Sequence, residues 1–221
     1  MLKYLNEPQQ RELLKAARTQ ACQLAQRDYH WMGALIILGM RVHEFSRLTK
    51  PVVQRGLAAG WLVSDKHHCK GKRKANEYFV TAQLRVHLLA LLRISDEQAA
   101  GRTLEEDEDQ PLIWGREGET THLAVRSYQA RMKIWVKAAG LDERLTPHAL
   151  RHTRGMNVIN RTRGANGLKV AQIALNHASL RSTGVYLHVS REEMAEQLQL
   201  VDGRGRMRKA DAVRMAAGAR A

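Results

Sequence analysis

Thr146-Pro147-His148-Ala149-Leu150-Arg151-His152-Thr153 reads as the first turns of a helix that runs on to residue 160. Proline suits a first helical position because its missing N–H would find no intrahelical acceptor there and its φ is already set. On that helix His148 and Arg151 share a face beside the positive end of the helix dipole. One turn thus offers an imidazole that can handle a proton and a guanidinium that can hold an anion. Working outward, Leu175-Asn176-His177 follows, and Tyr186 lies nine residues past His177. Far upstream, Arg41 sits in Leu38-Gly39-Met40-Arg41-Val42-His43-Glu44-Phe45, where Glu44 is close enough in sequence to orient or buffer it. Lys70, Lys72 and Lys74, with Arg73 among them, form a basic cluster between these segments.

Together these groups can surround one phosphate diester. Such a diester resists nucleophiles because its oxygens are negative, so an enzyme without a metal needs fixed positive donors as charge develops. Arginine fits that role, since its planar fork holds two phosphate oxygens and stays protonated at any working pH. A tyrosine phenol has an ordinary pKa near 10, and a cationic pocket around Tyr186 favours the phenolate that would attack phosphorus. The leaving 5′ oxygen needs a proton, which a lysine on a flexible hairpin can deliver if neighbouring cations lower its pKa. Singly, each residue has a plain reading: Arg41 as a helix-end charge, Tyr186 as a core or surface tyrosine, the lysines as a solvated turn touching DNA backbone. Their joint spacing carries the functional reading.

Composition agrees with a polyanionic partner. The chain has 221 residues, 36 Lys and Arg against 22 Asp and Glu, and a net charge of +14, which favours fast association with nucleic acid. Charge alone does not separate DNA from RNA or from an anionic membrane. At 44% apolar content the length supports one substantial core, or one domain and a short appendage. Only Cys22 and Cys69 occur; with no secretory leader and no apolar run of membrane-spanning length, the expectation is a soluble cytoplasmic protein with no membrane partner. No Cys/His spacing suggests structural zinc, and neither a metal nor another cofactor is expected. His67, His68 and Cys69 read as part of a strand whose alternation would split them between two faces.

Periodicity gives a mixed fold, mainly α with a small β-hairpin. Apolar positions recur at helical spacing over 13–25, a second apolar stretch covers 31–40, and helical character continues over 41–48 until Pro51 interrupts it. Residues 61–63 and 78–80 read as a hairpin with a basic tip at 70–76. An amphipathic helix at 84–94 precedes a long loop, 95–121, with the acidic block 105–109 and one short buried anchor at 111–114. Further helices are expected over 123–139, 147–160, 168–176, 180–189 and, behind a Ser190-Arg191-Glu192-Glu193 capping box, 190–201. Residues 1–201 form one expected domain, and 202–221 a mobile basic tail.

These residues resemble the tyrosine recombinase (phage integrase) family, in particular its Xer-like, plasmid-resolvase and integrase branches. Gly39-Met40-Arg41-Val42-His43-Glu44-Phe45 is similar to that family's Gly-Leu-Arg-Ile-Ser-Glu-Leu segment. Thr146 to Thr153 is similar to Thr-Pro-His-x-Leu-Arg-His-Thr, Leu175-Asn176-His177-Ala178-Ser179 to Leu-Gly-His-Ser, and Tyr186-Leu187-His188-Val189 to Tyr-Thr-His-Val. Four ordered motifs are far more specific than one.

The resemblance implies the family's catalytic-domain fold and a site-specific recombinase that cleaves and rejoins DNA through a 3′-phosphotyrosyl bond, without metal or ATP. Arg41 and Arg151 would clamp the phosphate, His148 handle the tyrosine proton, His177 support the transition state, and Tyr186 be the nucleophile. Lys72, which follows Gly71, is the preferred general acid and Lys70 the alternative; Lys70, Arg73 and Lys74 would contact DNA and Glu44 support Arg41. Implied partners are double-stranded DNA with inverted half-sites, a homodimer on each site, a homotetramer in synapsis and accessory DNA-bending proteins. A nucleoid-associated prokaryotic, phage or plasmid protein is implied. Fewer than forty residues precede Gly39, so no separate N-terminal core-binding domain is evident. Competing readings are a non-catalytic DNA-binding regulator or accessory subunit on the same fold and, ranked lower because His148 stands where Lys is usual, a type IB topoisomerase.

Overall fold

The computed structural model describes residues 4–69, 75–100, 110–115, 121–162 and 167–176, all within one compact unit, Met1–Tyr186. The helices expected over 180–201, the acidic block, residues 70–74 of the basic hairpin tip and the tail at 202–221 lie outside the described residues.

Helix α1 (Glu7–Arg18) starts at a capping box: the Asn6 side chain accepts from the Gln9 amide while Gln9 Oε1 accepts from the Asn6 amide. These bonds satisfy donors that a helix start leaves without acceptors. The apolar run over 13–25 is not one helix. Thr19 folds its hydroxyl back on the Lys15 carbonyl at 3.0 Å, and the Gln26 side-chain amide donates to the Arg18 and Gln20 carbonyls, closing a turn at 19–22. Helix α2 (Gln23–Leu38) then forms the centre of the described unit, packed against α1, α5 (Ala82–Ala99) and α7 (Pro147–Arg161). It buries Trp31, Met32, Leu35 and Leu38. At Gly33 a Cβ would come within 2.4 Å of the His87 ring, so glycine sets how closely α2 and α5 approach.

Gly39 ends α2 in the left-handed region (φ 65°), a conformation glycine adopts without a Cβ penalty. A single turn, α3 (Val42–Phe45), follows, and α4 (Lys50–Ala59) carries Pro51 within its first two positions. Pro51 therefore opens a helix instead of interrupting one. Strands β1 (Trp61–Ser64) and β2 (Asn76–Phe79) pair antiparallel, with Leu62 opposite Tyr78 and Trp61 opposite Phe79. Leu62 and Tyr78 face the core, while Trp61 and Phe79 meet edge to face on the exposed side at 5.2 Å.

His67 and His68 are not in a strand. They lie in a 3₁₀ turn (Lys66–His68), because the Asp65 carboxylate accepts the His67 amide at 2.8 Å and caps it. Helix α5 is longer than its 84–94 core pattern because Thr81 caps it early, accepting from the Leu84 amide. The anchor at 111–114 is buried as expected: its Trp114 indole donates to the Ser95 carbonyl and hydroxyl, and Pro111 and Trp114 bridge to Thr49 and His122.

Helix α6 (Val125–Ala138) is fastened to α2 through Asp28, which is wholly buried. Its Oδ1 accepts from Trp31 Nε1 and Arg27 Nη2, both at 3.0 Å; its Oδ2 accepts from Trp135 Nε1 at 2.9 Å and Arg131 Nε at 2.5 Å. A buried carboxylate is tolerable when every lone pair is used in this way. Helices α7 and α8 (Gly167–Ala174) pack together and complete the described unit.

Candidate active site

Arg151 is the buried hinge of the site, 3% exposed. Its Nη1 donates to the Gly39 carbonyl and its Nη2 to the Leu175 carbonyl at 2.7 Å. The guanidinium thus ties the ends of α2 and α8 to the first turns of α7. Both acceptors are main-chain atoms at helix ends, where carbonyls lack intrahelical partners. Gly39 has no space for a side chain: a Cβ would meet Leu175 at 2.6 Å and Arg154 at 2.8 Å.

Arg41, two residues past Gly39, is the N-cap residue of α3 and donates from Nη1 to Glu44 Oε1 at 2.9 Å. Its side chain remains 28% exposed. Glu44 is buried, and its other oxygen accepts from the Tyr78 hydroxyl at 2.8 Å and Asn76 Nδ2 at 3.1 Å. Burial, and then the Glu44 charge, push the Tyr78 phenol far above its ordinary pKa, so it stays a donor. Through Glu44, strand β2 is locked to the turn that carries Arg41.

His148 stands exposed in the first turn of α7, with its ring 4.5 Å from that of His152 in an edge-to-face arrangement. Partial desolvation of the ring on its protein-facing side, then the charges of Arg151 and Arg41, lower its pKa. His152 is lowered to about 4 by burial first, then by His148 and Arg151. The site accordingly pairs two guanidinium groups with a neutral imidazole, which suits it to an anion and to accepting a proton. Thr153 fixes the same helix to the N-terminal segment, its hydroxyl accepting from the Leu5 amide at 2.9 Å and donating to the Ala149 carbonyl.

At the end of α8, Asn176 adopts φ 49° and donates from Nδ2 to the Glu77 carbonyl of β2 at 3.1 Å. Asparagine is among the few non-glycine residues that accept this region readily, which accounts for Asn176 where the resembling motif has glycine. The structure therefore brings together Arg41, Glu44, His148 and Arg151. His177, Tyr186, Lys70, Lys72, Arg73 and Lys74 lie outside the described residues. Among the described residues no group of three His, Cys, Asp or Glu side chains could hold a metal ion, and no helix is long and apolar enough to cross a membrane. Sequence reasoning missed Tyr78 and Asn76 as supports of Glu44, and the Gly39 and Leu175 carbonyls as the seat of Arg151. A tyrosine at an inward strand position was the one signal for the former; main-chain acceptors leave none.

Residues 3–193 match the phage integrase family. The chain belongs to that family. Among curated relatives, tyrosine recombinase XerC of Mannheimia succiniciproducens is 33% identical over 84 residues, 38% of this chain and 28% of the relative. Tyrosine recombinase XerD of Shewanella oneidensis is 35% identical over 80 residues, 36% of this chain and 26% of the relative. The aligned stretch thus spans less than a third of either relative. Among solved structures, XerA recombinase superposes with a TM-score of 0.66 at 22% identity, covering 93% of this chain and 65% of XerA. The Tn1549 transposon integrase in complex with a circular intermediate DNA gives 0.70 at 15% identity, covering 90% and 66%. XerH recombinase bound to difH substrate gives 0.66 at 20% identity, covering 87% and 52%. The mainly helical fold with its two-stranded sheet is that of phage integrase family catalytic domains.

Proposed function

We propose that this chain is a site-specific DNA recombinase that cleaves and rejoins strands through a 3′-phosphotyrosyl intermediate. The observation that carries the reading is that Arg41, at the start of α3, and His148 and Arg151, on the first turns of α7, lie close enough for both guanidinium charges to lower the imidazole's pKa. Similar folds in XerH and the Tn1549 integrase bind DNA substrates, which supports duplex DNA as the partner. In this mechanism Arg41 and Arg151 hold the nonbridging oxygens of the scissile phosphate, with His177 donating a further hydrogen bond as charge builds. The Tyr186 phenol gives its proton to His148 and its oxygen attacks phosphorus; the bond to the 5′ oxygen breaks, and that oxygen takes a proton from Lys72, or from Lys70 in its place. The bond energy is conserved in the phosphotyrosine, so the released 5′ hydroxyl can reverse the step on a new strand. Neither a metal nor ATP enters this chemistry. Glu44 orients Arg41, while Lys70, Arg73 and Lys74 contact the backbone.

The assembly that follows is a homodimer on inverted half-sites and a homotetramer in synapsis, with accessory DNA-bending proteins, acting in the cytoplasm on the nucleoid. Residues 1–201 form the catalytic domain and 202–221 a basic tail. The deciding experiment incubates the protein in EDTA with nicked duplex from its own replicon and looks for a covalent adduct on a denaturing gel. The wild type should form an adduct that maps to Tyr186. Tyr186→Phe should bind DNA with near-normal affinity yet form none, and Arg151→Ala should lose cleavage with a smaller loss of binding. An adduct formed by Tyr186→Phe would remove the nucleophile assignment. Salt-sensitive binding with no adduct from the wild type would mark a DNA-binding regulator instead.

A further inference from the structure

Behind the Arg41 and Arg151 junction, a cleft of about 450 Å³ opens between α1, α2, the start of α5 and α7. Its volume lies within the range of small-molecule sites, roughly 300–1,000 Å³. Arg11, Arg154 and Arg161 line it, and the carboxylate among its lining residues, Glu7, is held by Arg161 at 2.6 Å. Arg11 also acts on Glu7, adding to the Arg161 effect that holds its carboxyl below the usual range, and Arg154 lies near the like charge of Arg161. Gln10 and Asn157, also in the wall, satisfy each other: each amide donates to the other's oxygen, at 3.0 and 3.1 Å. With three arginines against one carboxylate, the wall presents net positive charge beside the apolar Leu14, Ile36 and Ile37. Ala82 and Gln83, in the first turn of the 18-residue α5, also line the cleft and add the positive end of its dipole.

Arg154 is the telling residue. It is half-buried, and its Nε is buried without a hydrogen-bond partner. A buried donor on a charged group is costly to leave unsatisfied. Its aliphatic stem packs on Gly39, whose carbonyl holds Arg151, so the head of Arg154 is fixed at the cleft wall by the same junction that builds the active site.

We propose that this cleft binds a phosphate-bearing small molecule of nucleotide size, with Arg154 and Arg11 as its anion-holding groups. Paired arginines match phosphate oxygens in a way carboxylate-lined clefts do not. The site stands apart from the recombinase reading, because its readout is binding and not cleavage.

The test is calorimetric titration of the full chain with inorganic pyrophosphate at constant ionic strength, without DNA. The wild type should show saturable binding, weakened at least tenfold in Arg154→Gln and in Arg11→Gln. Arg11 is exposed on α1, so its variant keeps the fold even if Arg154→Gln is destabilised. Arg126→Gln, on the exposed face of α6, should bind as the wild type does. Absence of saturable binding, or wild-type affinity in both cleft variants, would overturn the proposal. A parallel duplex titration separates the two sources of phosphate: if the cleft variants weaken duplex binding while pyrophosphate never saturates, these arginines serve the DNA backbone and the small-molecule site falls.

Discussion

A side chain at Gly39 has nowhere to go. Its φ of 65° disfavours any Cβ, and the space is taken by Leu175 and Arg154, so Gly39→Ala should cost roughly 1–3 kcal/mol. The urea midpoint should fall with an unchanged slope; an unshifted midpoint would mean that the α2 terminus relaxes freely. Asn176→Gly should lower the midpoint less than Gly39→Ala does, because its left-handed backbone suits either residue and the bond lost to the Glu77 carbonyl is exposed. The histidines carry a second expectation. The folded state holds His152 and His30 at about 4, below the ordinary 6.5. Between those values the unfolded chain takes up protons that the folded chain refuses, so folding stability is fully present above about pH 6.5 and declines as pH falls toward 4. Denaturant midpoints at pH 7.5, 5.5 and 4.5 should fall in that order, and His152→Gln should shallow the decline. A flat profile would place these imidazoles in water.

Between elements, two of the fastenings are buried carboxylates. Asp28 joins α2 to α6 as Glu44 joins α3 to β2, and Asp28→Ala would strand two guanidinium groups and two indoles around an empty centre. Its cost should be about 3–5 kcal/mol, read as a lower urea midpoint. The exposed Arg93–Glu97 pair on α5, at 3.8 Å, should contribute less than about 0.5 kcal/mol on removal. Equal losses at the two places would refute the distinction. This contrast also explains what sequence could and could not disclose. Helical spacing and strand alternation are local, so α5, α6, α7 and the hairpin could be read directly, as could His148 and Arg151 on one turn. Pro51 and the 19–22 break turned on capping chemistry that periodicity does not carry. Asp28 reaches Arg131 and Trp135 across more than a hundred residues, and Arg151 reaches Gly39 across 112. No interval along the chain signals such partners.

For the molecule as a whole, the decisive quantity is its charge. A net +14 on 221 residues leaves many cations beyond those that Asp28, Glu44 and the main-chain carbonyls engage, and cations that meet phosphates release condensed counterions from the duplex. Neutralising about six phosphates costs roughly 1,000-fold in affinity between about 50 and 200 mM salt, so duplex binding measured by fluorescence anisotropy should weaken at least that steeply. Arg41 shares its charge with Glu44, and in the proposed mechanism Arg41 and Arg151 meet a single phosphate, two cations of the 36 in the chain. Their removal should therefore alter the salt slope less than loss of the exposed basic surface does. Tyr186→Phe carries no charge change and should reproduce the wild-type slope. A nearly flat salt dependence, or a slope that moves with Tyr186→Phe, would mean that the surface charge serves some other partner than the DNA backbone.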